Sequence, residues 1–304
     1  MANPTNSPVI TYSTCPVCSS SNIKLALIAK DYTVSKESFE IWHCNNCQHR
    51  FTQDIPNESN IGKYYQSEEY ISHSNTQKGL INQIYQGVRN YTLRQKLKLV
   101  RNVSGLQTGC LLDIGCGTGE FLGTMKAAGW TVNGLEPDDG AREQAHDNFG
   151  LRVEESEKLF QLNPNTYNVI TMWHVLEHVH RLHEYIDKIY ELLKADGTLI
   201  IAVPNYQSKD ANAYGEHWAA YDVPRHLYHF SPESMSQLLD GHGFTVDRMQ
   251  HMPFDPFYVS MLSEKYLHGN TRLVSAFFKG LNSFMGSSGN AKIGSSVMYF
   301  IRKK

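Results

Sequence analysis

Leu111 to Phe121 reads LLDIGCGTGEF. A buried-strand run carrying Asp113 breaks into Gly115, Gly117 and Gly119 and then turns helical. Glycines at a strand-to-helix turn let backbone approach a ligand closely. A turn that cradles a dinucleotide pyrophosphate reads G-x-G-x-x-G. Here Glu120 holds the place of the third dinucleotide glycine, and its carboxylate competes with phosphate for the same N–H donors. Asp113 adds negative charge beside the turn, so the pattern disfavours phosphate and tolerates a cation. The next strand, TVNGLEP, ends in Glu136. An acidic residue there accepts hydrogen bonds from both hydroxyls of a ribose. The expected ligand carries a ribose and a positive group without pyrophosphate. S-adenosylmethionine, with its sulfonium and ammonium, fits that description.

A second chemistry sits near the N-terminus. Cys15/Cys18 and Cys44/Cys47 form two C-x-x-C pairs separated by 25 residues. Each pair can make a tight knuckle, and together they place four thiolates on one tetrahedral zinc. A segment this short has a small core, which a metal stabilises substantially. Ribbons of this kind often carry glycine after the second cysteine of a knuckle, where Ser19 and Gln48 stand here. Four thiolates close the site, which makes its role structural or recognitional and leaves His43 and His49 as bystanders.

Histidines supply the third. HVLEHVH gives His174, Glu177 and His178 at helical spacing. His174 falls nearest the end of its strand, where an open α/β sheet binds ligand, and is the first general-base candidate, with His178 behind it. EHWAAYDVPRHLYHFSPES holds Trp218, Tyr221, Asp222, Arg225, His226 and His229, too polar and aromatic for a plain connection. Arg225 is expected either to meet a carboxylate or phosphate of an acceptor or to pair with Asp222. The aromatic and polar stretch YYQSEEYISHS offers Tyr70 or His73 to a lid.

These groups need elements to hold them. From Cys110 onward short apolar runs alternate with helical patterns, which argues for a parallel α/β sheet. CLLDIG, TVNGLEP, LRVEES, YNVITMW, TLIIAVP, FTVDRMQHM and SSVMYFIRKK read as strands. GEFLGTMKAAG, DDGAREQAHDNFG, LHEYIDKIYELLKADG and SPESMSQLLDGHG read as helices, the last N-capped by Ser231. Leu80, Ile84, Val88, Tyr91, Leu97 and Val100 lie near helical spacing. The apolar stretch between the last two strands, about 253–291, reads as an insertion that covers an acceptor pocket or touches a membrane surface.

The 304 residues suffice for one large or two ordinary domains, and 41% hydrophobic with 19% charged residues is globular. A net charge of -2 gives no global field for nucleic acid or anionic lipid. The start is polar, without a leader pattern, and no apolar run reaches membrane-span length, so the expected compartment is the cytoplasm.

The runs LLDIGCGTGEF, GLEP and YNVITMWHVLEHV resemble the successive motifs of class I S-adenosylmethionine-dependent methyltransferases, over about Cys110 to Lys304. The whole arrangement resembles bacterial methyltransferases with an N-terminal zinc-binding segment, some of which act on sugar nucleotides or cell-surface glycans. The resemblance implies a Rossmann-like α/β sheet with a zinc ribbon at 1–55, a helical linker or lid at 56–105 and the methyltransferase domain at 106–304. Asp113, Gly115, Gly117 and Gly119 would line the methionine end. Glu136 would hold the ribose, Glu155 and Ser156 would border the adenine, and Met172, Trp173 and His174 would face the sulfonium. The Asp-x-Pro-Arg-His segment of such enzymes roofs the acceptor pocket, which here implicates Tyr221, Asp222, Arg225 and His226, the last also as a catalytic candidate. The expected acceptor is a small molecule, first a sugar-nucleotide or other glycan-pathway intermediate. Two rivals are an RNA methyltransferase and a non-catalytic cofactor-binding protein. Against RNA, residues 1–60 carry only Lys24, Lys30, Lys36 and Arg50 as cations, with no basic stripe interleaved with aromatics.

Overall fold

The computed structural model describes residues 8–66 and 80–304. Tyr70 and His73 lie outside the described residues. The N-terminal segment starts with β1 (Val9–Ile10), β2 (Ile23–Lys30), β3 (Ser38–Cys44), β4 (Arg50–Thr52) and β5 (Ile55–Pro56). β2, β3 and β4 form an antiparallel ribbon, while β1 pairs with β5. Alternation along β3 buries Ile41 and half-buries Phe39 and His43 on the same side.

Helix α1 (Leu80–Ser104) leads into the main domain. Its Val100 is fully buried and Leu93 and Leu97 pack beside it, whereas Val88 and Tyr91 are exposed. There follow β6 (Cys110–Ile114), α2 (Glu120–Ala127), β7 (Thr131–Leu135), α3 (Asp139–Phe149), β8 (Val153–Glu154), β9 (Tyr167–Trp173), α4 (Leu182–Leu192), β10 (Leu193–Pro204), α5 (Lys209–Tyr214), β11 (Tyr228–His229), α6 (Pro232–Gly241), β12 (Phe244–His251), α7 (Asp255–His268), α8 (Leu273–Ser287) and β13 (Ser296–Lys303).

The caps explain several boundaries. Asp138 accepts from the Ala141 N–H at 2.7 Å to start α3, and Gly150 ends it in the left-handed region. Ser231 and Ser234 cap α6 reciprocally. The helix expected to close at Gly197 instead stops at Leu192, and the chain enters β10 through an irregular stretch before Thr198. Its core-facing residues Leu182, Ile186, Ile189 and Leu192 are all buried, so packing of the apolar stripe sets its length.

The main sheet has seven strands in the order β12-β13-β10-β9-β6-β7-β8. β8, β7, β6, β9 and β10 run parallel, and β13 joins antiparallel to β10 and β12. Progression from β6 goes one way to β7 and β8, then resumes at β9 on the other side. The sheet therefore reverses between β6 and β9, and a crevice opens outside the carboxyl ends of those strands.

The ribbon is not a separate body. β11, from the loop after β10, adds to the edge of β4, pairing Tyr228 with Phe51 and His229 with Arg50. Cys15, Cys44, Cys47, Phe51 and Ile55 share one core cluster with Ile170, Ile201 and Tyr299 of the main sheet. The expected insertion is the helical hairpin α7–α8. It is anchored by the buried Glu264, which accepts from Ser275 and Lys279, and by Asp210, which accepts from Trp218, Ser283 and Ser295. Its outer side leaves Leu273, Val274, Phe277 and Phe278 exposed. Among the described residues no helix is long and apolar enough to cross a membrane.

Candidate active site

Three glycines perform three tasks at the turn after β6. All have positive φ, at 70°, 54° and 82° for Gly115, Gly117 and Gly119. A Cβ on Gly115 would meet Val175 Cγ2 at 2.4 Å, and one on Gly119 would meet Ala145 and Leu151 at 2.8 Å. Those two let the turn pack against the loop after β9 and against α3. A Cβ on Gly117 would meet nothing within 4 Å, so this glycine borders open space.

Glu136 fixes the other side of that space. Its Oε2 accepts the Gly117 N–H at 2.8 Å and its Oε1 accepts the Asp138 N–H at 3.1 Å. Each oxygen keeps a lone pair, enough for two hydroxyl donors. Burial pushes the Glu136 pKa up, against those two N–H bonds. The Glu136 N–H donates to the Glu154 carbonyl at 2.9 Å, which brings the end of β8 alongside. Ser156, half-buried, follows there, while the Glu155 side chain is 65% exposed and 3.8 Å from Arg142.

Asp113 is buried beneath the turn and accepts the Thr171 hydroxyl at 2.6 Å. Burial raises its pKa to about 7, against Thr171 and Lys96. Glu120 pairs with Arg89 of α1 and accepts from the Thr118 hydroxyl at 2.7 Å. Its carboxylate thus occupies the start of α2, as its place in the turn implied.

At the end of β9 the expected trio separates. Met172 is fully buried in the core, because alternation along the strand sends it to the opposite face from its neighbour. Its side chain does not border the crevice, a correction to the expectation. Trp173 is partly buried, stacks edge-on against Phe121 and leaves its indole N–H without a partner. Lys96 of α1 lies over the Trp173 ring at 3.9 Å. Burial lowers the Lys96 pKa to about 8, opposed by Asp113 and Asp255.

His174 adopts φ 58° and donates its backbone N–H to Ala202. The following residues form only a 3₁₀ turn, Leu176–His178, rather than the helix the spacing suggested. The i, i+3 contact survives: His174 Nδ1 is 3.4 Å from Glu177 Oε1, and Nε2 is 3.1 Å from Asp255 Oδ2 at the start of α7. Burial lowers the His174 pKa, but the two carboxylates outweigh it and raise it to about 10. His174 is therefore held as an imidazolium with both nitrogens engaged, unlike a free base. His178 and His226 are different. Their rings meet edge to face at 4.6 Å. Burial, then the neighbouring His226, lowers the His178 pKa to about 4.

The loop after β10 carries a second correction. Arg225 is 1% exposed and does not face an acceptor. It donates to Asp222 at 3.0 and 2.6 Å, to Asp31 of the ribbon at 3.0 Å and to the Tyr64 carbonyl at 2.8 Å. Of the two roles foreseen for it, the structure shows the pairing with Asp222 and extends it across the chain. Tyr221 is also buried, its hydroxyl accepting from Arg50 at 2.9 Å. Asp222 takes φ 37° and faces Arg225. His226 donates from Nδ1 to the Ala220 carbonyl at 2.8 Å.

Sequence reasoning missed Lys96 and Asp255. Lys96 left a signal, since it lies on the same helical face as Leu93, Leu97 and Val100, where an apolar residue belongs. Asp255 left none, because nothing local links it to His174.

The four cysteines converge. Cys15 and Cys47 sulfurs are 3.5 Å apart, as are those of Cys18 and Cys44, and all four lie within 4.8 Å of one another. Tetrahedral Zn–S bonds of about 2.3 Å need sulfurs about 3.8 Å apart, so the set fits zinc. Ser19 and Gln48 sit at φ 57° and 60°, the left-handed conformation that glycine often supplies in such knuckles. Each N–H closes its knuckle onto the carbonyl of Cys15 or Cys44. The conformation persists without glycine at a small strain cost.

The sequence also matches known proteins. The sequence pattern of a methyltransferase domain matches residues 85–248. A mitochondrial ubiquinone biosynthesis O-methyltransferase from Rattus norvegicus is 26% identical over 164 residues, covering 48% of this chain and 47% of that protein. An uncharacterized methyltransferase from Geobacillus thermodenitrificans is 28% identical over 157 residues, covering 47% of this chain and 73% of that protein. The chain spans about half the length of the first of these relatives. A SAM dependent methyltransferase from Archaeoglobus fulgidus superposes with a TM-score of 0.49 at 21% identity, over 71% of this chain and 94% of that one. With the match running from α1 through the glycine turn, Glu136 and the histidine loop to β12, the chain belongs to the methyltransferase-domain family and carries its class I, Rossmann-like sheet.

Proposed function

We propose that this protein transfers the methyl group of S-adenosylmethionine to a small-molecule acceptor. The observation that carries the reading is the space beside Gly117, open where a Cβ would stand and bounded by a Glu136 carboxylate with a lone pair free on each oxygen. Bound there, S-adenosylmethionine supplies an activated methyl group on a good leaving group. The chain's own residues then bind, align and exclude water. Glu136 accepts the ribose hydroxyls, with Ser156 at the adenine edge. Asp113 sets a negative charge below the turn for the cationic end of the ligand. His174, fixed between Asp255 and Glu177, shapes the wall beside Trp173. Lys96, 3.9 Å over the Trp173 ring, adds a second cation near the Asp255 that holds His174. A sugar-nucleotide or other glycan-pathway intermediate is the first acceptor class we assign. The ribbon, through β11, supports the acceptor loop, and its four cysteines hold a closed structural zinc.

Calorimetric titration with S-adenosylhomocysteine, with NAD in parallel, tests the cofactor. Micromolar binding of the first alone, weakened about tenfold or more by Glu136→Ala, is expected from removal of a charged acceptor. Absence of binding by folded, zinc-loaded protein defeats the reading.

Asp113 predicts a pH dependence with a definite sign. Its folded pKa is raised from 3.8 to about 7, so its contribution to the stability of the ligand-free protein is greatest below about 4 and is lost as pH rises through 7. The ammonium end of the ligand, present in S-adenosylhomocysteine too, favours the ionised form. The thermal shift given by S-adenosylhomocysteine should therefore grow from pH 6 to pH 8, with affinity gaining up to about fivefold over the first unit and about tenfold over both. An equal shift at both pH values, or the same growth in Asp113→Asn, sinks this assignment.

A further inference from the structure

Beside the crevice, one ligating atom from each of Glu177, His178 and His226 lies within 4.8 Å of one from each of the others. Two further observations give this cluster a direction. Glu177 is fully buried, and neither carboxylate oxygen has a well-formed hydrogen bond; the His174 ring at 3.4 Å is its nearest charged neighbour. His174 meets this carboxylate from one side only, and its remaining lone pairs can take a further cation or donor.

The histidines have fixed tautomers. His178 Nδ1 is 3.0 Å from the Arg225 carbonyl, with the Tyr65 hydroxyl also at 3.0 Å, and His226 Nδ1 is 2.8 Å from the Ala220 carbonyl. A carbonyl oxygen can only accept, so each Nδ1 carries the proton and each Nε2 keeps a lone pair. Imidazoles that ligate metals are oriented in this way, by donating the other ring N–H to a carbonyl or carboxylate. The two loops that carry them are stitched together by the Leu227 N–H on the Glu177 carbonyl at 2.8 Å. The Arg225 network holds the carbonyl that orients His178.

We infer that Glu177, His178 and His226 bind one divalent transition-metal ion, through a carboxylate oxygen and two Nε2 atoms. The three ligand atoms, already within 4.8 Å of one another, must draw to the roughly 3 Å that metal–nitrogen bonds of about 2.1 Å require. Two imidazoles and one carboxylate suit zinc, manganese, iron, cobalt or nickel better than magnesium or calcium. Three protein ligands leave coordination positions open, toward an oxygen of the acceptor. This ion is distinct from the zinc of the four cysteines, whose set is complete.

The test uses cobalt(II) on the full chain after dialysis against a weak chelator, when the cysteine-bound zinc remains. Cobalt lies below zinc in affinity order and does not displace it. Wild type should take up one cobalt per chain at constant zinc, with ligand-field absorption lacking a thiolate charge-transfer band. Two imidazole rings should show hyperfine-shifted proton resonances, which establishes imidazole ligation, and the shifted signals should persist in His242→Gln. Glu177→Gln and His226→Gln should each lose cobalt affinity tenfold or more with zinc retained. No uptake at millimolar cobalt, uptake without shifted imidazole resonances, or uptake that survives both substitutions overturns the inference. None of these readouts involves S-adenosylmethionine, so failure here leaves the methyltransferase reading untouched.

Discussion

Arg225→Met should destabilise the protein by about 3–5 kcal/mol, the cost of leaving buried carboxylates without their cation. Arg225 is the single guanidinium that joins the acceptor loop through Asp222, the ribbon through Asp31 and the segment after it through the Tyr64 carbonyl. Asp31 also accepts the N–H groups of Thr33, Val34 and Ser35, so its loss of charge balance disturbs a whole turn. The melting temperature should fall by roughly 6–15 °C. Arg225→Lys should not restore it, because an ammonium cannot reproduce the planar fork. Burial raises the Asp31 pKa, but Arg225 and the turn N–H groups outweigh it and hold the carboxyl well below its usual range. The stability this supplies is present above pH 4 and is lost as pH falls toward the depressed pKa. A melting temperature for Arg225→Met within 2 °C of wild type, measured by circular dichroism at pH 7, would remove the network from the account of stability.

Removing the zinc we propose at the four cysteines should have the largest effect of all. Structural zinc supplies about 10–16 kcal/mol of apparent folding energy to small peptides, and the ribbon has little apolar core of its own. A strong chelator, or Cys44→Ser at a fully buried ligand, should unfold residues 8–56 and release one zinc per chain. The loss should spread beyond the ribbon. Thr52 of β4 donates to the His226 carbonyl at 2.7 Å and lies 3.0 Å from His229 Nε2, and β4 is the only partner strand of β11 among the described residues. Hydrogen exchange should therefore quicken at Tyr228–Phe230 while the strands around Gly117 stay protected. Unchanged protection at β11 after zinc loss would mean that the ribbon does not support the acceptor loop. Acid should mimic the chelator, because thiolates must stay deprotonated to hold the metal.

Local sequence determined the cofactor end of the site. Asp113, the three glycines and Glu136 lie on consecutive elements of one strand-turn-helix-strand unit, so spacing along the chain sets spacing in the fold. The cysteine knuckles were legible for the same reason, each being a turn of a few residues, even though Ser19 and Gln48 stand where glycine was expected. Only the tertiary structure decided the acceptor side. His174 read as a base from its position, yet Asp255, from the first turn of α7, and Glu177 make it an imidazolium. Arg225 read as either open to an anion or paired with Asp222, and Asp31, far away in sequence, closes it together with Asp222. Met172 and Trp173 are neighbours that alternation along β9 sends to opposite faces. For His174 and Arg225 the decisive partners, Asp255 and Asp31, arrive from distant segments. A charge in a low-dielectric site takes its state from whatever lies within a few ångströms, and no local pattern records that neighbour.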